Sequence, residues 1–281
     1  MVSQRFAEEH YLFVPASSVR CLQSGAFQLK GEAKAEQEKI WSEFAAKRPP
    51  AFDGQLLRLK SFAAEEHSLT LLVERTTFSA YITTRAPEFI NAFPKSGRAD
   101  PLGLTVLVVS RDGKLVLTQR SLSAEQNPGA IYFIGGYAEP SKIDGDVDLF
   151  GEAAREVKEE VGIDDLDLDR TWVIGLAYDP VYCHPELFFL AQSELSEQEI
   201  VEKSASAVDR QEAHNLYFAP LELALSQKSG NLSDLPKTWS YDRGVNFAKR
   251  HIEAAGDQGA ALDRSQQERM PDLFVPNIHL R

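Results

Sequence analysis

Cysteine is scarce: two in 281 residues. Cys21 and Cys183 are far apart and form no CxxC pair, which excludes a disulfide framework and a cysteine zinc site. Two reduced thiols fit a reducing compartment, so the expected location is cytoplasmic. Long apolar runs are missing too, and nothing approaches the ~20 residues of a membrane span. The start, MVSQRFAEEH, has acidic residues where a secretory signal would put its apolar core. No membrane partner is expected. Positive charge is short: 30 Lys and Arg against 42 Asp and Glu leave a net charge of −12. Binding a phosphate backbone needs clustered Lys and Arg, so no nucleic-acid partner is expected. A small phosphorylated ligand held through a metal stays open. There is no internal repeat and no low-complexity tract, and monomer and homodimer are equally compatible with the chain.

What is present is an ordinary globular balance, 43% hydrophobic and 26% charged. The length allows one large domain or two smaller ones, with enough buried surface to fold without a staple. Residues 33–47 (AKAEQEKIWSEFAAK) read as a helix, with Ile40, Trp41 and Phe44 three and four apart and Pro49-Pro50 ending it. LLRLKSF (56–62) and SLTLLVER (68–75) alternate like a strand pair. The stretch 91–103 (NAFPKSGRADPLG) is dense in turn residues and marks a boundary. Beyond it, LTVLVVS (104–110) and KLVLTQR (114–120) flank Asp112-Gly113, a strong hairpin signal. A helix near 148–162, strands near 171–178 and 186–192, a short helix near 194–204, a strand near 215–219 and a helix over 239–255 follow. Strands and helices that mix without regular alternation point to an α/β sandwich. The last 25 residues carry no clear period.

The most informative segment is FGEAAREVKEEVGI, residues 150–163. At about 100° per residue, Phe150, Ala153, Ala154, Val157 and Val161 gather on one arc, the expected core face. Glu152, Glu156, Glu159 and Glu160 gather on nearly the opposite arc. Like charges at i, i+4 are mutually unfavourable; a hard divalent cation with oxygen ligands reverses the sign. Mg²⁺ suits such a cluster best because it shares its coordination with substrate phosphates; Mn²⁺ is the alternative. Gly162 stands where a left-handed cap is expected, and Arg155 flanks the carboxylates. The competing reading is a solvated acidic face.

REVKEEVGI matches every specified position in the second half of the Nudix box, R-E-(apolar)-x-E-E-x-G-(apolar). The chain therefore resembles the Nudix hydrolases. The resemblance implies a Nudix-type α/β/α sandwich with a mixed sheet over residues 99–281, preceded by a smaller α+β domain over 1–98. It also implies that Glu156, Glu159 and Glu160 are Mg²⁺ ligands organised by Arg155. In that family water attacks a phosphorus of a diphosphate. The first half of the box departs from the pattern: Ser141 stands fourteen residues before Arg155, where a Gly is usual. The actual pair, Gly135-Gly136 in FIGGYAEP, lies further upstream. The loop therefore carries an insertion within SKIDGDVD, which puts a copied role for Glu139 in doubt.

That longer loop resembles the animal Nudix diphosphatases of UDP-glucose and UDP-galactose. Similar stretches follow in the same order: AFDGQLLRL (51–59), DPLG (100–103), LTQRS (117–121), PELFFLAQSELSEQEI (185–200) and EAH (212–214). The segment TTFSAYITTR (76–85), read as a strand, departs from that group; only Thr84 matches clearly. The resemblance implies a nucleotide-sugar substrate, cleaved to UMP and a sugar 1-phosphate. Alternatives are ADP-ribose, a dinucleotide or coenzyme A, a Nudix-fold binding module without catalysis, and RNA decapping, which the negative charge disfavours.

Other candidates carry less. Arg120 ends a strand and could hold a phosphate. Gly135 and Gly136 form the loop beside the substrate. Glu212, with His214 nearby, stands where the family often places a further carboxylate, a role that requires reach to the attacking water. Asp53 reads first as a turn residue and second as a ligand contact, and Thr84 as a specificity position. Glu186 reads as a charged strand start, and Cys183-His184 lacks the partners of a metal site.

Overall fold

The computed structural model describes residues 9–211, 213–221, 224 and 234–261. Twelve strands and six helices carry the argument. They run β1 (His10–Pro15), β2 (Val19–Ala26), α1 (Glu32–Lys47), β3 (Gln55–Ala64), β4 (Leu69–Thr77), α2 (Phe78–Arg85) and α3 (Pro87–Ala92). Then come β5 (Gly103–Val109), β6 (Lys114–Arg120), β7 (Ile131–Tyr132), β8 (Ile134–Tyr137), β9 (Gly145–Asp146) and α4 (Leu149–Val161). The last are β10 (Trp172–Asp179), β11 (His184–Gln192), α5 (Glu197–Ser204), β12 (Ala213–Pro220) and α6 (Trp239–Ala261).

The strands form two mixed sheets. The larger runs β1-β10-β11-β5-β6-β12, with β11 and β5 parallel and the other neighbours antiparallel. The smaller runs β3-β4-β2-β9. In β5 the side chains alternate between two cores: Leu104, Val106 and Val108 point into one, Leu107 and Val109 into the other. This is why the run reads as continuously apolar: both faces of the strand are covered. Ala153, Val157 and Val161 of α4 fill the first core, and Val245, Phe247 and Ala248 of α6 fill the second. The result is an α/β/α sandwich.

Each sheet takes a strand from the other half of the chain. β1 pairs with β10 at the edge of the larger sheet. β9, from the inserted loop, pairs with β2 at the edge of the smaller one. Leu57, Leu59 and Leu71 of the smaller sheet share one core with α4.

Two features differ from the sequence reading. Residues 78–85 are a helix, not a strand: the Thr77 hydroxyl accepts from the Ala80 amide at 3.1 Å and the Asp53 carboxylate from the Ser79 amide at 2.7 Å. These side-chain acceptors satisfy two of the free N–H groups of the first turn. And the Asp112-Gly113 hairpin parts almost at once. Gly113 takes the left-handed φ of +74° that the turn needs, yet only Val109 and Leu115 pair across β5 and β6. Beyond that pair β7 lies along β6 and β8 along β5. The parting opens a cleft in the sheet. No helix among the described residues is long and apolar enough to cross a membrane.

Candidate active site

The cleft encloses about 470 Å³. Arg120 from β6, Gly135 and Gly136 from β8, and Glu156 from α4 all line it, so four of the sequence candidates come together. Asp148 fixes the start of α4 by accepting from the Gly151 amide at 2.8 Å, and Gly162 ends it at φ +75°. The helix is thereby held with Glu156 directly under the Gly-Gly strand. A Cβ on Gly136 would lie 2.7 Å from the Glu156 carboxyl carbon. Glycine here keeps a space that the carboxylate occupies.

Arg155 gathers the acidic residues around itself: Glu152 at 3.0 Å, Glu156 at 2.9 Å and Glu159 at 2.7 Å. Glu139 is more distant, at 3.8 Å. Glu160 departs from the expected exposed arc and is 3% exposed. Three residues on from Val157 is a rotation that leaves it only about 60° from the core-facing side. Its carboxylate lies beneath the floor of the cleft, accepting from the Tyr132 hydroxyl at 2.6 Å and from the Gly135 amide at 3.3 Å. Burial, then the charge of Glu160, push the Tyr132 phenol upward, so it stays protonated and donates. Glu160 thereby links α4 to the strand that carries the glycines.

Among the described residues no three His, Cys, Asp or Glu side chains form a group able to hold a metal ion. The donor chemistry nonetheless suits a hard cation: Glu156 offers carboxylate oxygens to the cleft, set in the cradle that Gly136 leaves. Asp53 and Thr84 lie elsewhere. Asp53 caps α2, and Thr84 is buried, accepts from the Ala99 amide at 3.0 Å and lines a separate 170 Å³ hollow. Glu212 lies outside the described residues; its neighbour Ala213 pairs with Arg120.

The sequence reading gave too little weight to the far wall. Glu186 lines the cleft at 8% exposure, and Thr105 donates a short hydrogen bond to its Oε1. Burial first, then the charge of Asp179, raise its pKa to about 7; Thr105, Arg120 and Ser240 pull the other way. His184 is buried beside it, and desolvation holds it well below the usual imidazole range, hence neutral near pH 7. A chain of hydroxyls joins this wall to α2: Tyr137 donates to Tyr81 at 3.1 Å and Tyr81 to the Tyr182 carbonyl at 2.6 Å. Gln126 donates to both phenols. Arg85 pairs with Glu125 at 2.5 Å, and Arg120 donates to the Gln126 carbonyl at 2.9 Å, fastening the 121–130 loop over the cleft. Arg120 also lies over the Tyr132 ring, 4.9 Å from its centroid. The one sequence sign of Glu186 was its place at the head of an otherwise apolar strand.

Residues 101–235 match the family model described as NUDIX domain. This stretch, just under half of the chain, is similar to Nudix domains. Nudix hydrolase 9 of Arabidopsis thaliana is 21% identical over 220 residues, which cover 66% of this chain and 71% of that protein. Together these matches make the protein a hydrolase acting on pyrophosphate bonds. Among solved structures, a NUDIX hydrolase from Alicyclobacillus acidocaldarius is 17% identical, covering 52% of this chain and 89% of its own, with a TM-score of 0.40. The MutT protein of Methanosarcina mazei is 18% identical over 53% of this chain and 94% of its own, at a TM-score of 0.35. Nudix hydrolases generally use divalent metal ions and act on small nucleotide substrates.

Proposed function

We propose that the protein is a divalent-metal-dependent diphosphatase of nucleotide sugars, cleaving UDP-glucose or UDP-galactose to UMP and sugar 1-phosphate. The observation that carries this reading is the Glu156 carboxylate set against Gly136 inside a cleft. Its opposite wall carries the hydrogen-bonding groups of Tyr137, His184 and Thr105 beside the carboxyls of Asp179 and Glu186, which disfavour a phosphate there. One end suits a diphosphate and the other an uncharged, hydroxyl-rich group. The choice of uridine and hexose rests on the sequence resemblance over roughly residues 35–220.

In this reading Glu156, with Glu159 and Glu160 on the same helix, holds Mg²⁺ or Mn²⁺, which when bound neutralises charge on the diphosphate. Arg155 orients Glu156 and Glu159 by its ion pairs. Arg120, steadied by Gln126 and Tyr132, holds a phosphate. Residues 1–98 act as the substrate-side unit, contributing Phe78 to the cleft, and 99–281 as the hydrolytic one. The two free thiols suit a cytoplasmic enzyme.

The test is purified protein with Mg²⁺ and a panel of nucleotide sugars, dinucleotides and ADP-ribose, with products identified by mass spectrometry. UMP and glucose 1-phosphate from UDP-glucose are expected. Cleavage of ADP-ribose alone would retain the carboxylate helix and discard the nucleotide sugar.

A further inference from the structure

Glu186 combines features that folding alone does not ask for. Thr105 donates to its Oε1, while its Oε2 is buried with no partner in hydrogen-bond geometry among the described residues, the Ser240 hydroxyl lying near enough only to favour the ionised form. A buried acceptor left unpaired costs stability that a solvent-facing or apolar residue would not. The carboxyl also faces open space, because it lines the cleft. On the neighbouring strand the residue opposite is Gly103, where a Cβ would come within 3.3 Å of the Glu186 Cγ. No side chain from that position covers it.

Its place in the sheet indicates what it meets. Gly136, which touches Glu156, pairs with Leu104 across β8 and β5; Gly103, the residue before, pairs with Glu186 across β5 and β11. Two strand spacings of about 4.8 Å put Glu186 roughly 10 Å from the Glu156 end. A diphosphate at Glu156 therefore leaves Glu186 facing the organic part of the molecule. A carboxylate repels phosphate, so its partner is an uncharged donor. Resting on the proposed nucleotide-sugar reading, we infer that Glu186 is a substrate-binding residue: its Oε2 accepts a hydrogen bond from a hydroxyl or ring N–H on the uncharged part of the substrate.

Glu186→Gln tests this with little change of shape. Because Thr105 donates to Oε1, the amide oxygen takes that position and the NH₂ takes the place of Oε2. A donor then faces a donor. Calorimetric titration in EDTA at pH 8, where Glu186 is ionised, with UDP-glucose, UMP and glucose 1-phosphate reads binding without turnover. The expected result is a loss of about tenfold or more in affinity for UDP-glucose, with thermal stability kept. If UMP follows UDP-glucose, the donor is on the nucleoside; if glucose 1-phosphate follows instead, it is on the sugar. Should Glu186→Gln fail to fold, Thr105→Val, which frees Oε1 and unfixes the carboxyl, is expected to weaken the same probes and Thr105→Ser to restore them. Equal affinity of variant and wild type, or no binding of any probe by the wild type, overturns the inference. Failure of Mg²⁺-dependent turnover with the binding difference intact would instead overturn the proposed reaction.

Discussion

At the scale of single residues, the site is governed by what is kept small and what is kept dry. Gly136 is the first case. Its missing side chain is the space in which Glu156 sits, 2.7 Å from where a Cβ would be. Gly136→Ala is expected to push the carboxylate aside and lower kcat about a hundredfold, the order of loss that follows from misplacing a reacting group by an ångström. Circular dichroism and melting temperature should stay close to wild type, because the displaced group borders open cleft. Full activity in the alanine variant would remove Glu156 from the site. Glu186 is the second case. Its pKa is raised from 4.5 to about 7, chiefly by burial. A carboxyl that holds its proton longer in the folded state contributes stability that is complete below its unfolded pKa and lost as pH rises through the folded one. The window here runs from about pH 4.5 to about pH 7. Glu186→Gln removes that dependence, so its stability relative to wild type should improve between pH 5 and pH 8 by roughly 2–3 kcal/mol. Urea melts at the two pH values measure the difference, and a constant offset would show that Glu186 does not titrate with folding.

At the scale of elements, the helix that carries the carboxylates was legible because its code is local. A period near 3.6 and a terminal glycine act within one stretch of chain, and α4 runs Leu149–Val161 with Asp148, which the sequence reading did not single out, capping its start. The Asp112-Gly113 turn was legible for the same reason, although only Val109 and Leu115 pair beyond it. Three things were not. The sequence HYLFVP of β1 is held by its partner β10, and nothing within six residues announces that partner. Residues 78–85 carry β-branched and aromatic side chains, yet Asp53 and Thr77 supply the caps that make them helical. Glu186 and Glu160 have the same residue type as the exposed glutamates; only the strands packed over them make them buried. The Gly162 cap offers a stability test at this scale. Its φ is +75°, and a Cβ there would lie 2.8 Å from the Lys203 carbonyl oxygen, a backbone atom of α5. Gly162→Ala therefore meets both backbone strain and a contact that cannot rotate away, and it should cost about 2 kcal/mol. Chemical denaturation is the measurement, and a loss under about 0.5 kcal/mol, the range of neutral surface changes, would mean the α4–α5 corner adapts.

At the scale of the whole molecule, the two sheets are not independent supports for two jobs. β1 closes one edge of the larger sheet from the N-terminal side, and β9 closes one edge of the smaller from within the inserted loop. The insertion is tied down further. Gln23 donates to the Ser141 and Ile143 carbonyls, each at 3.2 Å, and Arg75 pairs with Asp144 at 2.6 Å. Leu57, Leu59 and Leu71 lie in the same core as Val157 and Val161 of α4, so the helix bearing Glu156 has part of its packing surface on the N-terminal sheet. Removing residues 1–98 would strip β1 from β10, leave β9 without β2 and open that core to water. An apolar face of this size exposed on a fragment drives association. The fragment 99–281 is thus expected to be insoluble or molten, while the full chain melts in one cooperative transition with equal calorimetric and van't Hoff enthalpies. Two separate transitions in the full chain, or a fragment that is monomeric and folded by sedimentation and near-UV circular dichroism, would show that the shared core is dispensable. In that case the Phe78 and Arg85 contacts at the cleft would be a docking between units that fold alone, and the position of Glu156 would not depend on the N-terminal sheet.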